Sequence, residues 1–437
     1  MMKKMRHKLS AILIVLLAVL FIPGIANAKT EKEYQANLWN FKQTIKKSSG
    51  AFTYYAYPSK NQKEAWIYKI QVKSGKNCGK LSIPSKLENK KVTRLGSRER
   101  QYLKKSDDQL LNIFGIGAEP WHNSAGRSPK TKKIKKLILP NTVKVIQPTA
   151  FSGMSSIKTV KIPKKVKILG AYVFFGCNNL RSADLPAGLK TLDTLAFGDC
   201  PKLTKLNLSS KNKAYQIKDK CVITKKNELV YTMAGGQTFQ IPEGVEVIKT
   251  YAFHNCTSAT VNIPASVKKI EASAFMKPYG EKEKPNIKNI TVDAKNSVYA
   301  RDGQCIYNKI NKSLSVAIPD EKGILYISDQ VECLTEEQSI AGIDYLKSEL
   351  TKVVFPETLK TVVDNGFANL RGEKTYFKGK NPPSLVKEKT QKTYGPPSHT
   401  HVYVPEGAEE AYRQWYKQYK EYEWISGLET FKPEDKI

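Results

Sequence analysis

Six cations recur beside short apolar runs at a spacing that would bring them together: Lys135, Lys136, Lys158, Lys161, Arg181 and Lys205. Side chains on neighbouring strands sit ~4.8 Å apart. That is inside a Debye length of ~8 Å in physiological salt, so such cations act jointly on an anionic polymer or an acidic protein surface. The same residues also read as the solvated face of a basic protein, and the sequence leaves both readings open. His399 and His401 alternate as two metal ligands on a strand would, yet no carboxylate or thiol stands beside them, which favours structural histidines. Tyr412, Trp415, Tyr416 and Tyr419 make a helical stripe that could stack on sugar rings or close the end of a core. The chain has no H-E-x-x-H, no G-x-S-x-G, no phosphate-cradling glycine loop and no paired C-x-x-C. No catalytic residue, cofactor site or metal ligand is therefore assigned, and the chain is expected not to be an enzyme.

The cations are placed by a repeat. A proline ends a short apolar run, aliphatics follow at +3 and +6, and phenylalanine stands at +11. The prolines are Pro140, Pro163, Pro186, Pro242, Pro264 and Pro356, and the phenylalanines are Phe151, Phe174, Phe197, Phe253, Phe275 and Phe367. Before each proline the apolar pattern Φ-x-x-Φ-x-Φ, as in Ile134/Leu137/Leu139 and Ile157/Val160/Ile162, ends in the alternation of a short strand. Proline just past it fits, because it cannot donate to a ladder. Self-similarity at this period predicts coils that stack, with the strands in one parallel sheet and the phenylalanines inside. Residues between the inward ones, the six cations with Ile138, Thr159, Ser182, Asp184, Thr204 and Asn207, then point outward. Such a protein is built as a surface, so binding is its default function.

The run Leu137-Ile138-Leu139-Pro140 through Ala150-Phe151-Ser152-Gly153-Met154 resembles the BspA-like class of bacterial leucine-rich repeats, as does Leu185-Pro186 through Ala196-Phe197-Gly198-Asp199-Cys200. The resemblance covers about residues 51–425. It implies a repeat solenoid with a curved parallel β-sheet on one face and irregular or short helical return legs, used extracellularly for adhesion or partner binding. The family has no common catalytic residues to carry over. Two insertions interrupt the spacing and share one pattern: Asn212-Lys213-Ala214-Tyr215 with Cys221, and Asn296-Ser297-Val298-Tyr299 with Cys305. They resemble the hairpin-bearing insert of that family.

The expected organisation is a secretory signal at 1–28, an N-terminal helical cap at 29–50, the solenoid at 51–400, and a strand with an aromatic cap helix at 401–437. Insertions fall at about 96–133, 209–237 and 293–318. The leader rests on Lys3, Lys4, Arg6 and Lys8, the apolar Ala11–Ile22 and the small-residue Ala26-Asn27-Ala28. It predicts a secreted chain, cell-surface associated at most, without a transmembrane segment once processed. The N-terminal cap rests on Tyr34, Leu38, Phe41 and Ile45 at helical spacing. The formal charge of +32 falls to +28 without the four leader cations, and only nine residues are arginine. Lysine is a hydrated point charge, so the excess favours diffuse attraction over planar recognition. The expected partner is an extracellular protein, an anionic glycan or a wall polymer, with secretion arguing against nucleic acid. The alternative is a structural envelope protein held by charge without a defined partner. Cys177, Cys200 and Cys256 occupy the +14 position, filled by Met154 and Leu370 in other copies. They are expected as buried thiols, with Cys177–Cys200 the bridge to check.

Overall fold

The computed structural model describes residues 38–73, 76–96, 133–233, 235–276, 287–341, 350–363, 365–367, 370–386, 397, 400–418 and 427–432. The expected leader, Tyr34, the 97–132 part of the first insertion, His399 and Tyr419 lie outside them. The chain divides into two compact units, Met1–Lys202 with Leu206–Ala214, and Leu203–Lys205 with Tyr215–Ile437. Each is a β-solenoid.

Over its described residues 38–50 the cap expected at 29–50 is not α-helical but leads into strands. Ile45–Ser49, Phe52–Pro58 and Glu64–Val72 form an antiparallel meander. The helical spacing of Leu38, Phe41 and Ile45 is overridden by the period-two burial of Phe52, Tyr54, Ala56 and Pro58, which builds a sheet whose edge Ile45–Ser49 covers. Leu38 is left 49% exposed. Trp39, Phe41 and Tyr57 meet Trp66 edge to face at 5.7–6.0 Å, and the Arg94 guanidinium lies 4.9 Å over the Trp66 ring. This aromatic layer closes the first coil. Gly96 joins it: its carbonyl accepts the Trp66 indole N–H at 2.8 Å. With φ at +111° and Gln147 only 2.6 Å from where a Cβ would stand, no other residue fits there.

From there each coil contributes three legs. The first is the expected strand: Lys80–Ser82 pairs in parallel with Lys136–Ile138, and Thr159–Lys161 pairs with Ser182–Asp184, followed by Lys205–Asn207. The return leg is more regular than expected. The residues around +6 form a second parallel ladder, Lys90–Leu95, Val145–Ile146, Ile168–Leu169 and Thr191–Leu192. The third leg is a turn carrying Ala-Phe, and it too is bonded coil to coil: Phe151 N donates to Val173 O at 2.9 Å and Phe174 N to Ala196 O at 2.8 Å. Leucine-, valine- and isoleucine-filled interior positions meet between these legs. Phe151, Phe174 and Phe197, all fully buried, stack with centroids 5.6 and 5.5 Å apart.

Unit 2 repeats this plan. Thr238–Gln240, Thr260–Ile263 and Asn289–Val292 form one parallel ladder, and Glu228–Thr232, Val247–Ile248 and Lys269–Ile270 the other. The insertions are meanders, as expected: Tyr215–Lys218, Cys221–Thr224 and Glu228–Thr232, then Tyr299–Asp302, Cys305–Asn308 and Leu314–Ala317. Their shared asparagine has a structural job. Buried Asn212 donates to the carbonyls of Ala187 and Leu189, and buried Asn296 to those of Pro264 and Val267, each at 2.9–3.0 Å. The last coils run Ile324–Tyr326, Lys352–Phe355, Lys374–Phe377, His401–Pro405 and Gly427–Phe431 in one parallel sheet. The helix Glu409–Lys417 buries Tyr412, Trp415 and Tyr416, the first two against Phe377 and Phe367. These three residues of the stripe therefore close the core and are not free to stack on sugar rings. None of the seven cysteines is in a disulfide, and the Cys177 and Cys200 thiols donate to the main-chain oxygens of Phe151 and Phe174.

Candidate functional site: the basic strand face

The sheet's alternation fixes where the six cations go. In Lys136–Ile138, Thr159–Lys161 and Ser182–Asp184 the middle residue is buried and its neighbours face out. Lys135, Lys136, Lys158, Lys161, Arg181 and Lys205 are all exposed. Backbone register puts two of them in one column: Arg181 N donates to Lys158 O at 2.8 Å. Lys135, whose N–H donates to Gly79 O in the same way, holds the equivalent place in the preceding repeat, five residues before Pro140 as Lys158 is before Pro163. Lys161 stands opposite Asp184, and Asn207 donates to the Asp184 carboxylate at 2.7 Å. That carboxylate interrupts one column, while Lys135, Lys158 and Arg181 run without an acidic residue between them. Lys205 begins the strand Lys205–Asn207 and belongs to unit 2.

None of the six has a carboxylate within 4 Å among the described residues. This differs from other lysines of the chain. Lys288 occupies in its own coil the place of Lys135, and its ammonium meets Glu321 at 2.7 Å, holding that carboxyl below its usual pKa range. On the second ladder Lys144 meets Glu64 at 2.6 Å, Lys249 meets Glu271 at 2.5 Å and Lys268 meets Glu246 at 3.1 Å. Two unit charges ~5 Å apart in water repel by roughly 0.8 kcal/mol before screening. A column left unpaired carries that repulsion until an anion covers it.

Other candidates resolve differently. His401 is exposed with its Nδ1 4.0 Å from Glu429, and among the described residues no three His, Cys, Asp or Glu are grouped to hold a metal. Cys200 is inert in the interior: burial is the main cause pushing its thiol pKa well above the ordinary value, with Cys177 adding to it. No helix of the described residues is long and apolar enough to cross a membrane. One outward cluster was missed from sequence. The motifs Leu325-Tyr326-Ile327, Thr375-Tyr376-Phe377 and Val402-Tyr403-Val404 set a tyrosine between two inward residues, the one signal that could have revealed it.

Residues 129–228 and 226–321 match the BspA type leucine rich repeat region in six copies. These residues are BspA-type leucine-rich repeats. The leucine-rich repeats are similar in solved form to a leucine rich cell surface protein from Faecalibacterium prausnitzii, at 16% identity over 80% of this chain and 96% of that one, TM-score 0.36. A leucine-rich repeat protein from Eubacterium ventriosum is similar at 17% identity over 63% and 73%, TM-score 0.31. The pneumococcal vaccine antigen PcpA is similar at 13% identity over 90% and 100%, TM-score 0.31. At these values the likeness carries no argument about what this chain binds. No curated protein matches the chain.

Proposed function

We propose that this chain is a non-catalytic, extracellular binding module that holds an anionic partner, an acidic polymer or an acidic protein surface, against the outward strand face of unit 1. The observation that supports this is the run of Lys135, Lys158 and Arg181, flanked by Lys136 and Lys161, all exposed and without an ion-pair partner among the described residues. Lys288, at the same place in its coil, is neutralised by Glu321. A second reading, retention on an anionic wall by net charge alone, is favoured by Lys164, Lys165, Lys167 and Lys190, which are exposed elsewhere on the same coils.

One experiment separates the two. The variant K136E/K158E/K161E and the equally charged control K164E/K165E/K167E are compared for binding to an immobilised polyanion at two salt concentrations. Loss of at least about tenfold in the first variant alone supports the strand face, since a fixed column acts as one site. Equal loss in both supports retention by charge. Unchanged, salt-insensitive binding in both removes either reading.

A further inference from the structure

Two columns run side by side on the outward face of the last coils of unit 2. In the first, Lys352 is in register with Lys374, and Lys374 with His401. In the second, Tyr326 is in register with Val354, Val354 with Tyr376, and Tyr376 with Tyr403. The repeat does not ask for aromatic residues there. The equivalent outward positions of the preceding strands in unit 2 are Gln240, Asn262 and Thr291, and in unit 1 Ile138, Lys161, Asp184 and Asn207. Tyr376 and Tyr403 stack at 4.4 Å and 9°. Tyr326, 40% exposed, is separated from Tyr376 by Val354, a shorter side chain that forms a buried floor. Strands two apart are ~9.6 Å from each other. That separation leaves a slot about one saccharide ring wide between Tyr326 and Tyr376.

The side chain of Lys352 leans into this slot. Its ammonium is 5.2 Å from the Tyr326 ring centre and 5.1 Å from that of Tyr376, and it donates to the Tyr326 hydroxyl at 3.3 Å. Because Tyr403 stacks on one face of Tyr376, the other face of that ring is the one turned towards Lys352. A cation of the ligand would meet both Lys352 and the exposed Lys374, so the slot repels a second cation. An anion that also presents apolar C–H groups satisfies both columns at once.

We infer that the slot between Tyr326 and Tyr376 is a binding site for an acidic saccharide, a uronate or similarly carboxylated sugar. The C–H face of one sugar ring lies against the tyrosines, and Lys352, a flexible side chain, swings up with Lys374 to bind its carboxylate. Tyr403 backs Tyr376 and keeps its ring upright. The site lies wholly within unit 2 and stands or falls independently of the basic face of unit 1.

The probe is a short oligogalacturonide, titrated calorimetrically into the full-length chain, with its carboxyl-reduced neutral counterpart and choline as comparisons. Binding of the oligogalacturonide should weaken at least about tenfold in Tyr376→Leu and Tyr326→Leu, and stay within about threefold in Tyr376→Phe, which keeps the ring. The neutral counterpart should bind at least about tenfold more weakly, and Lys352→Met should narrow that difference to about threefold, Lys374 remaining. These tyrosine results support the site whatever K136E/K158E/K161E does to binding. Oligogalacturonide binding that ignores the tyrosines but falls in the unit 1 variant overturns the site while leaving the proposed function standing. No binding of the oligogalacturonide, or binding of choline in its place, also overturns it.

Discussion

Phe174 offers the most direct test of the stacked interior. Its side chain is fully buried, with Phe151 on one side at 5.6 Å and 17° and Phe197 on the other at 5.5 Å and 9°. Truncation to alanine removes the ring from a site that cannot collapse. The backbones on either side are held apart by Phe151 N donating to Val173 O and Phe174 N donating to Ala196 O. Burial and cavity formation for Phe→Ala cost about 3–5 kcal/mol, and a rigid site belongs at the upper end. The two lost ring pairs account for ~0.5–1.5 kcal/mol each of that cost. Phe174→Ala should therefore destabilise unit 1 by about 5 kcal/mol, whereas Phe174→Leu, which leaves most of the volume filled, should cost about 1–2 kcal/mol. Urea unfolding followed by circular dichroism and tryptophan fluorescence reads both, Trp39 and Trp66 being in unit 1. Because coils depend on their neighbours, the loss should appear as a lower midpoint for unit 1 and not as local fraying. A cost below about 1.5 kcal/mol for Phe174→Ala would refute the argument, since a ring so enclosed cannot be removed that cheaply.

Four further outcomes rest on named groups. Burial raises the Asp193 carboxyl from 3.8 to about 6, against the pull of the Leu195 N–H it accepts at 2.9 Å. A raised folded pKa gives stability that is complete below about 3.8 and lost as pH climbs through about 6, so above pH 7 this half-buried carboxylate costs up to ~3 kcal/mol, less what solvent screens. Asp193→Asn should thus stabilise unit 1 by about 1–2 kcal/mol at pH 7.5 and by nothing at pH 3.5, read as denaturation midpoints at the two pH values. An equal gain at both would remove burial as the cause. None of the seven cysteines is in a disulfide, and only Cys333 is partly exposed. Maleimide on the native chain should label at most that one, and all seven after unfolding. A Cys177–Cys200 crosslink found by mass spectrometry would contradict the structure. Ser273 adopts φ 58° at the ninth residue after Pro264, as Thr149, Tyr172 and Tyr251 do in their own coils. Left-handed geometry costs an L residue roughly 1–2 kcal/mol, so Ser273→Gly should raise stability by ~0.5–1 kcal/mol after its unfolded-state entropy is counted. A loss there would mean that the hydroxyl matters more than the backbone. Gly96→Ala, strained and colliding with Gln147, should instead lower the stability of unit 1 by about 2 kcal/mol or more, checked by the same urea titration.

How much could be read in advance depends on which side chains the coil constrains. The six phenylalanines after the prolines are no more than 2% exposed, because one interior slot recurs in each coil and only a ring of that size fills it. The buried thiols and the meander insertions were legible for the same reason: their spacing repeats. The return leg was not, since most of its strands are only two residues long, as at Val145–Ile146 and Ile168–Leu169, too short for any alternation to show. The N-terminal cap was misread because Leu38, Phe41 and Ile45 satisfy a helical period while the strand partner that overrules it, Phe52–Pro58, lies beyond them in sequence.

Outward positions behave in the opposite way, and there function has room to reside. The stacking of coils does not decide which residue comes after Leu137, Val160, Val261 or Thr375, so the side chains there vary freely: Ile138, Lys161, Asn262 and Tyr376. Their types can be read one at a time, but their effect depends on which of them share a column, and that is a property of register. Lys158 and Arg181 matter together because one strand's amide meets the other strand's carbonyl. Lys352 lies over two tyrosine rings only because Val354, between them, is small enough to leave the gap. Changing Val354 to tyrosine would fill that gap with a third ring and displace the ammonium, leaving the inward Val353 and Phe355 untouched. The fold should survive such a change and the slot should not. That is the physical separation between what holds this chain together and what it presents to a partner.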